Sequence, residues 1–154
     1  MCALRLTEVV EALESIAPLS AAANWDNVGL LVEPSAVHEV QNTLLCIDLT
    51  EPVMSEALRL GVDLIVAYHP PIFGGLKRLT QSRGLERSLI KAVAKGVAIY
   101  SPHTALDAAQ GGVCDWLADG LGARSASSPI EPNTLEPALG LGRMVTLSSE
   151  VNLA

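Results

Sequence analysis

Aromatic residues are scarce in this chain, which has two Trp, two Tyr and one Phe among its 154 residues. The apolar residues, 49% of the total, are therefore mostly aliphatic, and they suit a core in which helices pack on a sheet. The length fits one domain. No apolar stretch reaches the ~18 residues of a transmembrane helix, so no membrane span is predicted. The amino terminus lacks the apolar core of a signal peptide, which argues against secretion.

Cysteine is also sparse, and its spacing excludes the common cysteine frameworks. Cys2, Cys46 and Cys114 lie far apart, and no CxxC pair occurs. An odd number of distant cysteines predicts free thiols in a reducing compartment. Because Cys46 lies in an apolar run, we expect it to be a buried structural thiol.

Basic residues are outnumbered by acidic ones, ten against seventeen, and the formal net charge is −7 at pH 7. Such a chain is repelled by phosphate backbones, so direct nucleic-acid binding is not expected. The patterns GxGxxG, GxxxxGK[ST] and GxSxG are absent. Their absence removes the usual sequence grounds for a dinucleotide-binding protein, a P-loop NTPase or an α/β-hydrolase.

Short apolar runs that alternate with helical spacing are the main structural signal. The runs cover residues 44–47, 64–67 and 97–100, and each is followed by apolar residues at helical spacing. This alternation predicts a β-α-β-α-β-α unit from residue 43 to 121, in an α/β fold with a parallel or mixed sheet and flanking helices. Continuous apolar runs further predict strands buried on both faces. Outside this unit the sequence predicts a helix at 7–17, irregular structure at 18–35, a loop at 123–142 and a strand at 144–147.

Two histidines follow the second and third apolar runs. His69 comes directly after the second run and Tyr68, and His103 follows the third with Asp107 four residues later. Open α/β sheets bind ligands at the carboxyl ends of their strands. Two histidines and a carboxylate suit Zn²⁺ or non-haem Fe²⁺ with positions left for water. The alternative is that His103 and Asp107 cap the segment that follows, while His69 shapes the turn before two prolines.

Two neighbouring side chains are candidates for supporting this site. Asp48 ends the first strand at the same sheet edge, where its carboxylate can orient a histidine or simply precede the next helix. Tyr68 precedes His69, and both can line a pocket where the strand ends, although neighbours within a strand point to opposite faces. The third histidine, His38, is predicted to have no functional role.

Five sequence segments together resemble the NIF-three-like family, also labelled GTP cyclohydrolase I type 2 homologues. The segments are NWDNVGL (24–30), CIDLT (46–50), YHPPIF (68–73), HTALD (103–107) followed by GGV (111–113), and the weaker GLGR (140–143). They cover essentially the whole chain and are most similar to the animal members. The resemblance implies a two-lobed α/β fold of which residues 1–154 form the N-terminal portion, as a single domain truncated at its C-terminus.

The resemblance also implies a site that holds two metal ions in many members. Its histidine and aspartate ligands correspond to His69, His103 and Asp107, whereas Tyr68 stands where bacterial members have another histidine. A His-x-x-x-Glu motif near the family's C-terminus has no counterpart in this sequence. We therefore expect weak or partial occupancy by a divalent metal, zinc, iron or manganese.

Two functional hypotheses follow from these observations. The first is a protein-interaction factor of the corepressor type, which acts through protein partners in transcriptional regulation. This hypothesis also predicts self-association as a homo-oligomer and a location in the cytoplasm and nucleus. The second is a metal-dependent, cyclohydrolase-like hydrolase that acts on a nucleotide-like substrate, with His69, His103 and Asp107 as ligands. The tyrosine at position 68 favours the first, since a phenol is protonated at neutral pH and is a poor ligand.

Overall fold

A computed structural model describes residues 3–35 and 39–150. The strands are β1 (Leu4–Arg5), β2 (Gly29–Val32), β3 (Glu39–Val40), β4 (Thr43–Cys46), β5 (Leu64–Ala67), β6 (Ala98–Ser101), β7 (Arg124–Ser128), β8 (Glu131–Pro132), β9 (Gly140–Leu141) and β10 (Met144–Leu147). The helices are α1 (Leu6–Ile16), α2 (Glu51–Arg59), α3 (Gly84–Lys95), α4 (His103–Ala108) and α5 (Val113–Asp119). None of the helices in these ranges is long and apolar enough to cross a bilayer. Cys2 and His38 lie outside the described residues.

A four-stranded mixed sheet in the order β2-β6-β5-β4 forms the centre of the fold. Strands β4, β5 and β6 are parallel, and β2 runs antiparallel to β6. Helix α2 connects β4 to β5, helix α3 connects β5 to β6, and helices α4 and α5 follow β6. The predicted alternation of strands and helices and the α/β class with a mixed sheet are confirmed.

Helices cover both faces of this sheet and create two hydrophobic cores. On the side of α2 and α3, the buried residues include Met54, Ala57, Ile65, Leu89, Ala92 and Ile99. On the side of α1, they include Leu6, Leu64, Val66, Ala98 and Tyr100, with Val9, Val10 and Leu13 packed against them. Successive residues of β5 and β6 alternate between the two cores because strand side chains alternate in direction. Burial on both faces explains the uninterrupted apolar runs in these two strands.

Strand β4 lies at the edge of the sheet, and the prediction that both its faces are buried is wrong. Leu44 and Cys46 pack partly buried against the core of α2 and α3. On the opposite face, Leu45 is 76% exposed and Ile47, just beyond the strand, is 60% exposed. The physical reason is that, among the described residues, the core under α1 receives strand side chains from β2, β3, β5 and β6 but none from β4. Cys46 is accordingly half-buried rather than buried, and burial, aided by the charge of Asp48, raises the pKa of its thiol.

Two segments predicted to be irregular contain strands. Residues 18–35 include β2, the antiparallel edge of the central sheet, and residues 123–142 include β7, β8 and β9. The strand predicted at 144–147 is present as β10, but it pairs with β7 as a separate antiparallel ribbon. Strand β2 pairs with a strand distant in sequence, as Gly29 with Ser101, so local apolar spacing does not reveal it. Strands β7, β8 and β9 lack the apolar runs on which the prediction depended.

Arg143 connects the C-terminal strands to helices α4 and α5. Its guanidinium side chain is 4% exposed, and its Nε and Nη2 atoms donate to the Asp115 carboxylate at 2.8 and 3.1 Å. The remaining N–H groups donate to the carbonyl oxygens of Gly140 and Gly142, each at 2.7 Å, and of Ala108 and Ala109, at 3.3 and 3.2 Å. The hydrogen bond from Arg143 holds the pKa of Asp115 below its usual value, against the opposing effect of burial.

We predict that Arg143→Ala destabilises the chain by about 3 kcal/mol, because the largely buried Asp115 carboxylate loses its nearest cationic partner and several carbonyls lose a donor. Arg59→Ala is the control, since Arg59 is 70% exposed and lies 3.8 Å from Glu56. We expect the control to cost under about 0.5 kcal/mol, as exposed ion pairs do. Urea denaturation of both variants measures the difference, and equal midpoints would contradict the structural role of Arg143.

Candidate functional site

The candidate site lies where strands β5 and β6 end at the same edge of the sheet. His69 follows β5 by two residues, and His103 begins helix α4 two residues after β6. The parallel register of β5 and β6 brings these ends together, and the two imidazole rings lie 5.6 Å apart between centroids. His103 has a φ of +29°, a conformation that is uncommon for a residue with a side chain. The contacts of its ring and of the next residue offset that cost.

Asp26 is the buried carboxylate of the site. Its side chain is fully buried, and its two oxygens lie 2.8 and 2.9 Å from Nδ1 of His103. It also accepts hydrogen bonds from the backbone N–H groups of Asn27, at 2.8 Å, and Thr104, at 3.1 Å, and from the Thr104 hydroxyl. Burial raises the pKa of this carboxyl, but the hydrogen bonds from Thr104, His103 and Asn27 outweigh burial and lower it. The ionised Asp26 therefore places the proton of His103 on Nδ1 and leaves Nε2 as the free acceptor.

Asp48 holds His69 in the same manner, but at the surface. Nδ1 of His69 lies 2.9 Å from Oδ1 of Asp48, and the two side chains are 49% and 65% exposed. The sequence analysis proposed that Asp48 orients a histidine, and this hydrogen bond is the contact that such a role requires. Neither imidazole has a hydrogen bond at Nε2 within residues 3–35 and 39–150.

Tyr68 contacts the carboxylate that the sequence predicts as the third ligand. Its hydroxyl donates to Oδ1 of Asp107 at 2.5 Å. Burial, together with this hydrogen bond and the negative charge of Asp107, raises the pKa of the phenol well above its usual value. At neutral pH Tyr68 is therefore a neutral hydrogen-bond donor, and it occupies one oxygen of Asp107.

Three of the few aromatic side chains surround His103. The ring centroids of Tyr68, Trp25 and Phe73 lie 5.7, 6.3 and 6.3 Å from that of His103, all in edge-to-face arrangements. Trp25 and Phe73 are 60% and 55% exposed and contact each other at 6.1 Å. These rings limit the directions from which a ligand or solvent can approach His103.

The donor atoms present are chemically suited to one divalent ion. They are Nε2 of His69, Nε2 of His103 and a carboxylate oxygen of Asp107. Metal–nitrogen bonds are about 2 Å, so two imidazoles that share an ion have centroids roughly 5 to 6 Å apart, close to the separation found here. In the described part of the chain, however, no three His, Cys, Asp or Glu side chains stand grouped so as to hold an ion. One oxygen of Asp107, the third donor, already accepts the hydrogen bond from Tyr68.

The structure thus brings together all five predicted side chains, His69, His103, Asp107, Asp48 and Tyr68. The alternative role of His103 and Asp107 was that of caps; among the described residues their side chains instead contact Asp26 and Tyr68. Asp26 was not predicted. It lies 77 residues before His103 in the chain, and only its place within the NWDNVGL segment marks it.

We predict that Asp26→Ala costs about 3 kcal/mol of stability at pH 7, because it removes the acceptor of several buried donors. The matched control is Asp48→Ala, which breaks an exposed contact to His69 and should cost under about 1 kcal/mol. Because folding lowers the pKa of Asp26, its contribution is present above the pKa of the unfolded state and is lost as the pH falls. Urea melts at pH 7 and below pH 4 measure both effects. A parent and an Asp26→Ala variant with parallel pH dependence would contradict the assignment.

Comparisons with known proteins show the family to which the chain belongs. The sequence profile of the family described as Duf34/NIF3 (NGG1p interacting factor 3) matches residues 4–154. The chain belongs to the Duf34/NIF3 family. It is 46% identical over 149 residues to NIF3-like protein 1 of Drosophila melanogaster, and 53% identical over 128 residues to that of Homo sapiens. These alignments cover 96% and 83% of the chain, but only 51% and 34% of the relatives.

A yeast relative and a solved structure extend the comparison. NGG1-interacting factor 3 of Saccharomyces cerevisiae is 34% identical over 163 residues, covering 97% of this chain and 57% of the relative. The crystal structure of a Bacillus cereus protein related to NIF3 superposes with a TM-score of 0.77 at 32% identity, over 86% of this chain and 36% of that protein. The chain therefore spans between about a third and somewhat over half of the length of the family members it matches here.

Proposed function

We propose that this Duf34/NIF3 chain is a protein-interaction factor in transcriptional regulation, of the corepressor type, that acts in the cytoplasm and nucleus. The observation that carries the proposal is the uncovered sheet face at β4. Leu45, Ile47 and Ile16 are 76%, 60% and 63% exposed, and they line a groove of about 500 Å³ between α1, α4 and the sheet. Contiguous exposed apolar surface of this kind marks interaction sites in soluble proteins.

Because β4 is an edge strand, the backbone N–H and C=O groups on its outer side also belong to this surface. On one side β4 pairs with β5, and its other side is the end of the central sheet. An open edge strand with apolar side chains can accept a strand from another chain, which supplies both hydrogen bonds and apolar contact. This supports self-association as a homo-oligomer and contact with a partner protein through the same surface.

The names of the relatives and the charge of the chain indicate the kind of partner. The family description and the yeast relative are both named for interaction with NGG1. With a net charge of −7, the chain is unsuited to contact nucleic acid over a broad surface. We therefore place its regulatory role in contacts with proteins and not in contacts with DNA.

We predict that Leu45→Asp with Ile47→Asp prevents self-association and binding to purified NGG1 from S. cerevisiae, because charges in an apolar interface lose hydration without gaining a partner. Leu135→Asp is the control, since Leu135 is 79% exposed and lies away from the groove lining. Sedimentation velocity and a binding titration measure both associations. Unchanged association in the double variant, or equal loss in the control, would refute the proposed surface.

A second proposal is that the site binds one divalent ion, as a metal-dependent hydrolase of the cyclohydrolase type would require. It is supported by the two carboxylates, Asp26 and Asp48, that hold Nδ1 of each histidine and so direct Nε2 toward a ligand. A bound zinc, iron or manganese ion would supply Lewis acidity and make an attached water more acidic. The residues themselves supply two nitrogen donors and, once Tyr68 releases it, one carboxylate. Such a site favours one weakly held ion over a pair.

We predict that Tyr68→His raises metal content, because imidazole is a neutral donor at pH 7 and no longer holds Asp107 as the phenol does. Tyr68→Phe separates the two effects, since it releases Asp107 without adding a donor and should give a smaller gain. His103→Ala should reduce uptake below that of the parent. Elemental analysis for zinc, iron and manganese, with a metal titration of each apo-protein, provides the readout. If Tyr68→His takes up no more metal than the parent, the assignment of Tyr68 as the weakening residue is wrong.

A further inference from the structure

The basic residues of this acidic chain are concentrated in one short segment. Of the ten Lys and Arg residues, four lie within residues 77–87, while the whole chain has a net charge of −7. The four are Lys77, Arg78, Arg83 and Arg87. The segment leads from the candidate site into helix α3, and its charge is opposite to that of the rest of the molecule.

These cations differ in whether their charge is already neutralised. Arg87 donates from Nε and Nη2 to the two oxygens of Glu51 at 2.9 and 2.7 Å, so its charge is paired. Arg83 is 3.9 Å from a Glu86 oxygen, at the limit of an ion pair, and its side chain is 82% exposed. Lys77 and Arg78 make no ion pair or hydrogen bond with any of the described residues. Lys77 is therefore available, and Arg78 and Arg83 are only loosely engaged, through the charge of Glu86.

The three available cations line one pocket of about 410 Å³, together with Gly75, Leu76, Ser82 and Glu86. The one carboxylate in the lining is already engaged. Oε2 of Glu86 accepts hydrogen bonds from the backbone N–H and the hydroxyl of Thr80, at 3.0 and 2.7 Å. These hydrogen bonds lower the pKa of Glu86 against the effect of burial, and the charges of Arg83 and Arg78 lower it further. Glu86 thus holds the basic segment against the first turn of α3. Three cations and one carboxylate give the pocket a net positive charge.

The start of α3 adjoins this pocket. The helix has twelve residues, and Arg83 at its N-cap position makes no side-chain hydrogen bond to its first N–H groups. The positive end of the helix dipole favours an anion, and the Glu51 carboxylate, paired with Arg87, already lies beside Gly84 there. Gly84, the first helical residue, also lines the adjoining cavity of about 580 Å³ with His69 and Asp48. The basic pocket and the candidate site therefore meet at the beginning of one helix.

We propose that this pocket binds the phosphate group of a small phosphate ester, with Lys77, Arg78 and Arg83 as the cationic contacts. A concave pocket with three convergent donors suits a compact dianion, because charge-assisted hydrogen bonds to phosphate are strong and directional. The adjoining cavity gives the remainder of such a molecule a path toward His69. The proposal does not depend on metal binding or on the interaction surface at β4, since none of its contacts belongs to either.

The test uses the complete 154-residue chain with inorganic phosphate and pyrophosphate as probes. Lys77→Ala with Arg78→Ala should weaken binding about tenfold or more, because two charge-assisted contacts are lost. Lys91→Ala with Lys95→Ala is the charge-matched control; it removes the same net charge from α3 outside the pocket lining. We expect the control to bind within about twofold of the parent, since distant surface charges are screened by salt. Isothermal titration calorimetry gives the affinities, and urea midpoints verify that both double variants fold.

Four outcomes would overturn the proposal. Equal weakening in both double variants would show general charge attraction and no defined pocket. Lack of saturable binding of either probe to the folded parent would show that the pocket does not hold phosphate. Binding of a short DNA duplex that depends on Lys77 and Arg78, without binding of pyrophosphate, would assign the cations to a nucleic-acid backbone. Saturable binding of pyrophosphate that only the pocket variant loses would support the proposal. Competition with chloride and sulfate at constant ionic strength then tests whether the pocket prefers phosphate to other anions. Equally strong binding of these anions would also count against the proposal.

Discussion

The parallel pairing of β5 with β6 is the constraint on which the candidate site depends. Because the two strands run in the same direction and in register, their carboxyl ends lie side by side, and the residues that follow them meet. His69 and His103 are brought together by this pairing although the chain between them includes a long loop and all of α3. Burial of both strands on both faces keeps the register fixed, since a slip by one residue would exchange the two cores.

The two histidines differ in how deeply their carboxylate partners are buried. Asp26 is enclosed and holds His103 together with the first residues of α4, so that contact is part of the fold. Asp48 holds His69 at the surface, where solvent competes for the same atoms. The ring of Tyr68 lies 5.1 and 5.7 Å, between centroids, from those of His69 and His103, and its hydroxyl donates to Asp107. One side of the site is therefore rigid because it belongs to the core, whereas the other can adapt to what binds.

Local sequence patterns predicted the parts of this molecule that depend on local burial. Strands β5 and β6 were predicted because each is an apolar run enclosed on both faces, and His69 and His103 were found because they follow those runs. Strand β7 has the sequence RSASS, which carries no apolar alternation, and its pairing with β10 was not predicted. The exposure of β4 depends on which strands α1 covers, a tertiary property. Asp26 was missed because its contact with His103 spans 77 residues and follows from no local spacing.

The fixed orientation of the two imidazoles has a consequence for the proposed binding of an ion. Asp26 and Asp48 hold the rings in place through hydrogen bonds within the protein, so contacts of the fold set their orientation. If the proposed ion binds, it therefore meets two imidazoles whose Nε2 atoms are already oriented, and little further ordering of these rings opposes binding. Occupancy would then follow the free concentration of the ion, and a bound ion would add to the stability of the folded state by mass action.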